Sequence, residues 1–202
     1  MAIQFHYNKT SLQQLNKQLK IRQNALPTLK NKESALRLEV KNAKDQAQKL
    51  NDELKRKMRE NENILRLWNE FDTHLIAIKD VKLSVKKIAG VKTPVLDGVD
   101  FVIGKFSLFK NPSWFMDGIR LIEKLARIAL ERDVYERKTQ LLEHARKKTT
   151  QKVNLYEKVQ IPGYEEAILK IKRFMEDEEN LSKASQKIVK SRMENQNTEE
   201  VR

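Results

Sequence analysis

The sequence predicts an all-α protein: a long antiparallel two-helix left-handed coiled coil, with a small β-hairpin or loop inserted between the helices. Three observations lead there. Apolar residues recur on a 3.5-residue period across the first eighty positions. Gly (5) and Pro (4) are scarce among 202 residues. One short β-rich stretch carrying an Asp-Gly pair separates two helical segments. The expected organisation is a single elongated domain over 1–202. It has a first long helix at 10–89, a hairpin and loop at 90–111, a second long helix at 112–193 and a flexible tail at 194–202.

The first helix carries the strongest signal. Alternate steps of three and four run from Leu12, Leu15 and Leu19 through Leu36, Ala43, Ala47, Leu50 and Leu54 to Trp68, Phe71, Leu75 and Ile78. Sixteen of these twenty seam positions are apolar, which calls for a supercoiled partner helix. On the opposite face only Leu38 is apolar among nine positions, so the helix is not buried all round. At about 1.5 Å per residue the seam would span roughly 100 Å. Ser11 with Gln14 fits a capping box, and Gly90 after Lys86 and Lys87 fits a helix C-terminus. Pro27 removes a backbone donor and predicts a kink. Arg22, Glu33, Lys57 and Asn61 are polar seam positions, read as wet gaps or, more sharply, as register or partner selectors.

The middle changes character. Asp97-Gly98 predicts a hairpin turn between strands at Val91–Leu96 and Val99–Ile103, with Pro94 confining the first strand to an edge. Phe101, Phe106 and Phe109 are too many rings for a small hairpin to bury. They must dock on the helices or on another protein, and Phe101, Phe106 and Phe109 are candidate partner contacts. Asn111 and Pro112 suit the cap and first residue of the second helix. Its seam runs through Leu121, Leu125, Ile128, Leu142, Val153 and Tyr156, then moves to Ile161, Tyr164, Ile168 and Ile171. The change of phase coincides with Pro162-Gly163, a pair that a kinked helix tolerates when a neighbour supplies the packing. Two such helices joined by about twenty residues fold back antiparallel, with both termini at one end and the hairpin at the other.

The residues do not support catalysis. His6, His74 and His144 have no paired metal-ligand spacing. Gly98 to Gly104-Lys105 has five intervening residues, and Phe106 stands where a phosphate loop needs Ser or Thr. Acidic runs such as Glu176–Glu179 read as solvated helix faces. No cofactor, metal site or direct nucleotide binding is expected. The absence of cysteine suits a cytosolic protein, and neither a membrane-spanning run nor a signal-peptide core is present.

The charge is strongly basic: 41 Lys and Arg against 28 Asp and Glu give +13. Solvated helix faces explain much of it. The remainder forms two sets near the chain ends. Lys9, Lys17, Lys20, Arg22, Lys30 and Lys32 precede the first acid, and Lys183, Lys187, Lys190 and Arg192 lie near the other end. In an antiparallel hairpin these form a basic tip, so Lys17, Lys20, Arg22, Lys187, Lys190 and Arg192 are candidate partner contacts. No recognisable nucleic-acid module accompanies them.

One segment adds a family. Val153-Asn154, Glu157, Val159 and Ile161-Pro162 resemble the R-V-N-A-L-E-x-V-x-I-P signature of the D subunit of the vacuolar/archaeal-type rotary ATPases. Leu29-Lys30, Lys32 and Leu36 resemble that family's L-L-K-x-K-x-x-x-L, and the order helix, hairpin, helix also agrees. The resemblance implies a central-stalk rotor shaft that is not itself catalytic. It further implies partners in the catalytic and regulatory ring subunits, a small globular stalk subunit and a funnel-shaped subunit above the membrane ring. The location implied is cytoplasmic and peripheral to the membrane. A non-rotary coiled-coil scaffold, or a basic helical binder of nucleic acid or membrane surfaces, are the alternatives.

Overall fold

The computed structural model describes residues 3–67, 71, 75–105 and 112–200, with backbone alone at 64, 65 and 194–200. The elements are α1 (Lys9–Glu60), α2 (Glu62–Arg66), β1 (Ile76–Ile88), β2 (Val91–Ile103), α3 (Phe115–Leu155), a π-helical turn (Tyr156–Gln160) and α4 (Ile161–Glu200). The fold is mainly helical, with a two-stranded antiparallel hairpin between the helices, as the fold class predicts. The chain divides into two compact units, Met1–Lys30 with Thr150–Arg202, and Asn31–Thr149.

In the first of these units the start of α1 pairs antiparallel with α4. Leu15, Ala167, Ile168 and Ile171 form the core, flanked by Leu12, Leu19, Tyr164 and Met175. The N-cap is Asn8, not the expected Ser11: Asn8 Oδ1 accepts the Ser11 N–H at 2.7 Å, one turn earlier than the capping-box reading. Residues ahead of α1 fold back, so that Ile3 and Phe5 pack on the core and Tyr7 stacks on Phe174 at 4.8 Å between centroids. α1 runs unbroken through Pro27. Both Pro27 and Gln23, whose carbonyl loses its donor, are exposed, so water can satisfy that carbonyl.

The π-helical turn resolves the phase change in the seam. Continued by threes and fours, the seam ending at Val153 and Tyr156 would place Gln160, Gly163, Ala167 and Lys170 inward. Of these Lys170 is exposed, while Gln160, Gly163 and Ala167 stay buried or half-buried; the large apolar side chains that are buried or half-buried are Ile161, Tyr164, Ile168 and Ile171, one residue later. A π-turn accommodates one extra residue, which is the offset required. The Ile161 N–H reaches back five residues to the Tyr156 carbonyl. Pro162-Gly163 therefore follows the irregularity directly and does not end the helix. Gly163 serves a different need, since a β-carbon there would lie 3.2 Å from Ile3 Cδ1.

In the second unit Leu36 and Leu142 are fully buried, with Ala43 between them, and Val40, Tyr135 and Ala145 surround them. The first helix does not extend to residue 89. It ends at Glu60, where the Asn61 side-chain amide donates to the Lys57 carbonyl at 2.8 Å. The segment from Ile76 pairs as strand β1 because its aliphatic residues alternate and β2 offers a partner. The hairpin turn is correspondingly not at Asp97-Gly98. It lies at Ala89-Gly90, where both residues take positive φ (48° and 81°), the geometry of a type I′ turn.

Asp97 is the extra residue of a bulge, since Lys82 pairs with Gly98 and Leu83 with Leu96; Lys79 makes a second bulge on β1. Counted from the Ile88–Val91 pair that closes the turn, Val85–Pro94 is a non-hydrogen-bonded pair. Pro94 therefore sits in the ladder without losing a bond to β1. The hairpin folds back along the helices. Ile88, Ala89 and Val91 pack on the Leu36–Leu142 core, so its tip lies against the helices and does not project beyond them. Its other end is held by Phe71, Leu75, Phe115 and Ile119, with Trp114 alongside. Helix α3 starts at Phe115, where Phe71 and Trp114 stack on the Phe115 ring at 5.1 and 4.8 Å. Gly118 leaves room there, since a β-carbon would come within 3.3 Å of the Trp114 ring. At the other terminus the helix runs to Glu200, through most of the segment expected as a tail. The last stretch, ENQNTEE, contains no Gly or Pro to stop it.

Candidate partner-binding surfaces

Three exposed surfaces stand out among the described residues. Among the described residues no group of three His, Cys, Asp or Glu is placed to hold a metal ion. His6 and His144 are exposed, and His74 lies outside the described residues. A groove of about 380 Å³ opens where the seam of the second unit carries the small residues Ala47 and Thr139. Its walls are Lys44, Gln48, Asn51, Glu136 and Gln140, polar but without a buried titratable group.

The second surface is the outer strand of the hairpin. β2 faces the helices and buries Thr93, whose hydroxyl donates to the Lys86 carbonyl at 2.9 Å. β1 is open to solvent, with Leu83 and Val85 exposed. Across the ribbon Lys82 Nζ lies 2.8 Å from Asp100 Oδ2. That hydrogen bond, reinforced by the opposite charges, lowers the Asp100 carboxyl and raises the Lys82 ammonium from their ordinary values. Phe101 is half-buried, with the Arg127 guanidinium 5.6 Å from its ring centre. Phe106 and Phe109 lie outside the described residues. The exposed Leu83 and Val85 escape the sequence reading because their segment is read there as helix; the alternation in IAIKDVKLSVKKI is the signal that marks them.

The third surface is the end of α4. Every residue from Glu176 to Met193 is exposed. Leu181 (70%), Ile188, Val189 and Met193 make an apolar stripe with Lys183, Lys187, Lys190 and Arg192 beside it. The Glu179 carboxylate holds Lys183 at 2.7 Å, and this bond lowers the Glu179 pKa.

The basic candidates do not gather into one tip. Lys17 and Lys20 are exposed on α1 near Leu15, which packs against Ile171. Lys187 lies sixteen residues beyond Ile171, roughly 24 Å along α4. Arg22 is half-buried: its Nε donates to Gln160 Oε1 at 2.7 Å, and its guanidinium lies 4.5 Å from the Tyr164 ring centre. Of the other polar seam residues, Lys57 pairs with Glu53 and Glu33 with Arg37, both contacts within α1.

The signature positions converge on the π-turn. Val153 is buried, Asn154 and Pro162 are exposed, and Ile161 is half-buried. Glu157 accepts from Lys30 at 2.7 Å, so the two separate sequence signatures meet in space.

Comparison with known proteins decides what these surfaces belong to. The family of the ATP synthase D subunit matches residues 11–191. The chain belongs to the ATP synthase D-subunit family. It is 29% identical to the V-type ATP synthase D subunit of Borreliella burgdorferi over 187 residues, covering 91% of this chain and 92% of that protein. The V-type ATP synthase D subunits of Chlamydia muridarum (25%) and Chlamydia pneumoniae (26%) match over 96% of this chain and 98% and 95% of their own lengths. Membership in the D-subunit family makes the chain a component of a larger ATPase complex, so its exposed surfaces are read as places for partners. No helix among the described residues is long and apolar enough to cross a membrane.

Proposed function

We propose that this chain is the central-stalk rotor shaft of a V/A-type rotary ATPase or ATP synthase. In this reading it couples ATP hydrolysis or synthesis in the catalytic ring to ion translocation by the membrane ring, and catalyses nothing itself. Its partners are the catalytic and regulatory ring subunits, a small globular stalk subunit and a funnel-shaped subunit above the membrane ring. It works at the cytoplasmic side, peripheral to the membrane.

The observation that carries this reading is the bare end of α4. A helix exposing Leu181, Ile188, Val189 and Met193 along eighteen consecutive exposed residues leaves apolar area in water that a surrounding protein would cover. The basic side chains beside that stripe suit carbonyl-rich or acidic bearing surfaces. A shaft whose faces differ around its circumference presents a different face to each site of a ring. Turning it changes which state each site prefers, a population shift driven by differential contact.

The test is co-purification from cells under gentle conditions. Wild-type chain is expected to bring down large nucleotide-binding subunits and a small globular subunit. Leu181→Ser with Ile188→Ser is expected to leave the chain's own unfolding midpoint unchanged, because both residues are exposed, and to weaken recovery of the ring subunits. Neutralising Lys17, Lys20, Lys187 and Lys190 together is expected to weaken the same recovery. Full recovery with both sets of substitutions would overturn the assignment.

A further inference from the structure

Arg22 occupies a seam position of α1 that the 3.5-residue repeat reserves for an apolar side chain, and it faces the π-turn. Its Nη1 donates to the Gln18 carbonyl at 3.0 Å and to Gln18 Oε1 at 2.7 Å, which holds the side chain on its own helix. Its Nε donates to Gln160 Oε1 at 2.7 Å, on the last residue of the π-turn. The guanidinium lies 4.5 Å from the ring centre of Tyr164 and 6.0 Å from that of Tyr156, so aromatic faces on both sides of the turn receive it. We propose that Arg22 is a positioning residue that fixes the axial register of α1 against α4 by engaging the π-turn.

The argument is one of alternatives. An apolar seam repeats every seven residues, so sliding α1 a heptad towards the C-terminus of α4 seats Leu15 and Leu19 on Ile171, Phe174 and Met175, apolar again, although Leu12 would meet Glu178 and Ser182. Burial alone therefore separates the registers weakly. Arg22 separates them strongly. Moved a heptad along α4 towards the C-terminus, it would face Ala167 and Ile171, both buried and without an acceptor or a π-face. A half-buried guanidinium left with only Gln18 of its own helix penalises that register, whereas in the observed one it is also bonded to Gln160 and stacked on Tyr164. A polar seam residue of this kind specifies pairing at some expense in stability. The inference concerns the pairing of these helices and stands whether or not the chain turns inside a ring.

The natural chain has no cysteine, so paired cysteines report register without background. Gln23 and Glu165 touch across the pair at 3.5 Å, and Gln23→Cys with Glu165→Cys reads the observed register. Gln23→Cys with Lys172→Cys, or with Glu157→Cys, reads slips of one heptad in either direction, the second counted through the extra residue of the π-turn; both positions are exposed. Disulfide yield is measured on the full chain, in the monomer band. With Arg22 present, the 23–165 disulfide is expected to exceed either slipped pair by at least about tenfold. Arg22→Leu keeps the seam apolar. It is expected to hold or raise the thermal midpoint, yet to bring a slipped pair within about threefold of the observed one. Gln160→Leu, which leaves Arg22 in place, is expected to move the ratio in the same direction by less, and it decides the matter if Arg22→Leu does not fold. An unchanged preference for 23–165 in both variants, or a lowered midpoint with no change in the ratio, would overturn the proposal. So would failure of the 23–165 pair to form with Arg22 present.

Discussion

Lys30 Nζ lies 2.7 Å from Glu157 Oε1, and this pair joins the N-terminal family signature to the C-terminal one. Each side chain is nearly half accessible, so solvent and salt screen the attraction. A double-mutant cycle with Lys30→Ala and Glu157→Ala is expected to give a coupling of about 0.2–1 kcal/mol at low salt, vanishing as salt is raised. Denaturant unfolding of the four proteins measures it. A coupling well above that range would mean the pair is structurally dominant, against the exposure observed.

Leu36 and Leu142 are fully buried on facing helices, under the tip of the hairpin. Truncating either to Ala removes packing from α1, α3 and the hairpin at once. Each substitution is expected to destabilise the chain by about 2–5 kcal/mol, read as a lowered denaturation midpoint. Leu38, on the outer face of the same helix and 59% exposed, is the control: Leu38→Ala is expected to stay within about 0.5 kcal/mol of wild type.

The π-turn supports a less ordinary expectation. Deleting Val159, an exposed residue of that turn, removes the one residue by which the two halves of the seam are out of step. The seam from Tyr156 through Ile161, Tyr164, Ile168 and Ile171 then continues by threes and fours in plain α-helix. The deletion is expected to be tolerated with a cooperative unfolding transition. Deleting Leu169, between the buried Ile168 and Ile171, is expected to abolish the pairing of α4 with α1. Circular dichroism during thermal unfolding distinguishes them, and equal damage from both would refute this account of the turn.

Gly90 takes φ of 81° at the hairpin turn. A β-carbon there would meet only Lys32 Nζ at 3.5 Å, an ordinary contact, so the penalty of Gly90→Ala is a backbone one. It is expected to lower stability by about 1–2 kcal/mol. Gly98→Ala, with negative or extended φ and open space around it, is expected to have a much smaller effect in the same unfolding assay.

Asp100 and Lys82 carry a dependence on pH. The Lys82 hydrogen bond and charge lower the Asp100 carboxyl below its ordinary 3.8. Its contribution is therefore complete above pH 3.8 and lost as the pH falls through the lowered value. Lys82 mirrors this: raised above 10.5, it contributes fully below that pH and loses the effect as the pH rises through the raised value. Carboxyl titration by NMR is expected to show Asp100 returning towards 3.8 in Lys82→Met. An unmoved titration would remove Lys82 as the cause.

Local pattern and long-range pairing contributed differently to what could be read in advance. The seam from Leu12 to Leu54 declared α1, because a helix face is built from residues three and four apart and needs no distant information. The scarcity of Gly and Pro, the paired helices and the signatures at Lys30 and Glu157 were legible in the same way, and they pointed to the family. Leu75 and Ile78 also fit that step, yet they belong to the start of a hairpin. Ile76, Ile78, Val81, Leu83 and Val85 satisfy a near-alternating strand as well as a helix, and only pairing with β2 chooses between them. The turn at Ala89-Gly90, the bulge at Asp97 and the return of the hairpin onto Leu36 and Leu142 all follow from that pairing, which lies outside any short window of sequence. The π-turn stands between the two cases. Its one-residue phase change was visible in the positions of Tyr156 and Ile161. That the helix absorbs it without breaking depended on α1 lying alongside, with Leu15 and Arg22 rewarding the face that the extra residue turns inward.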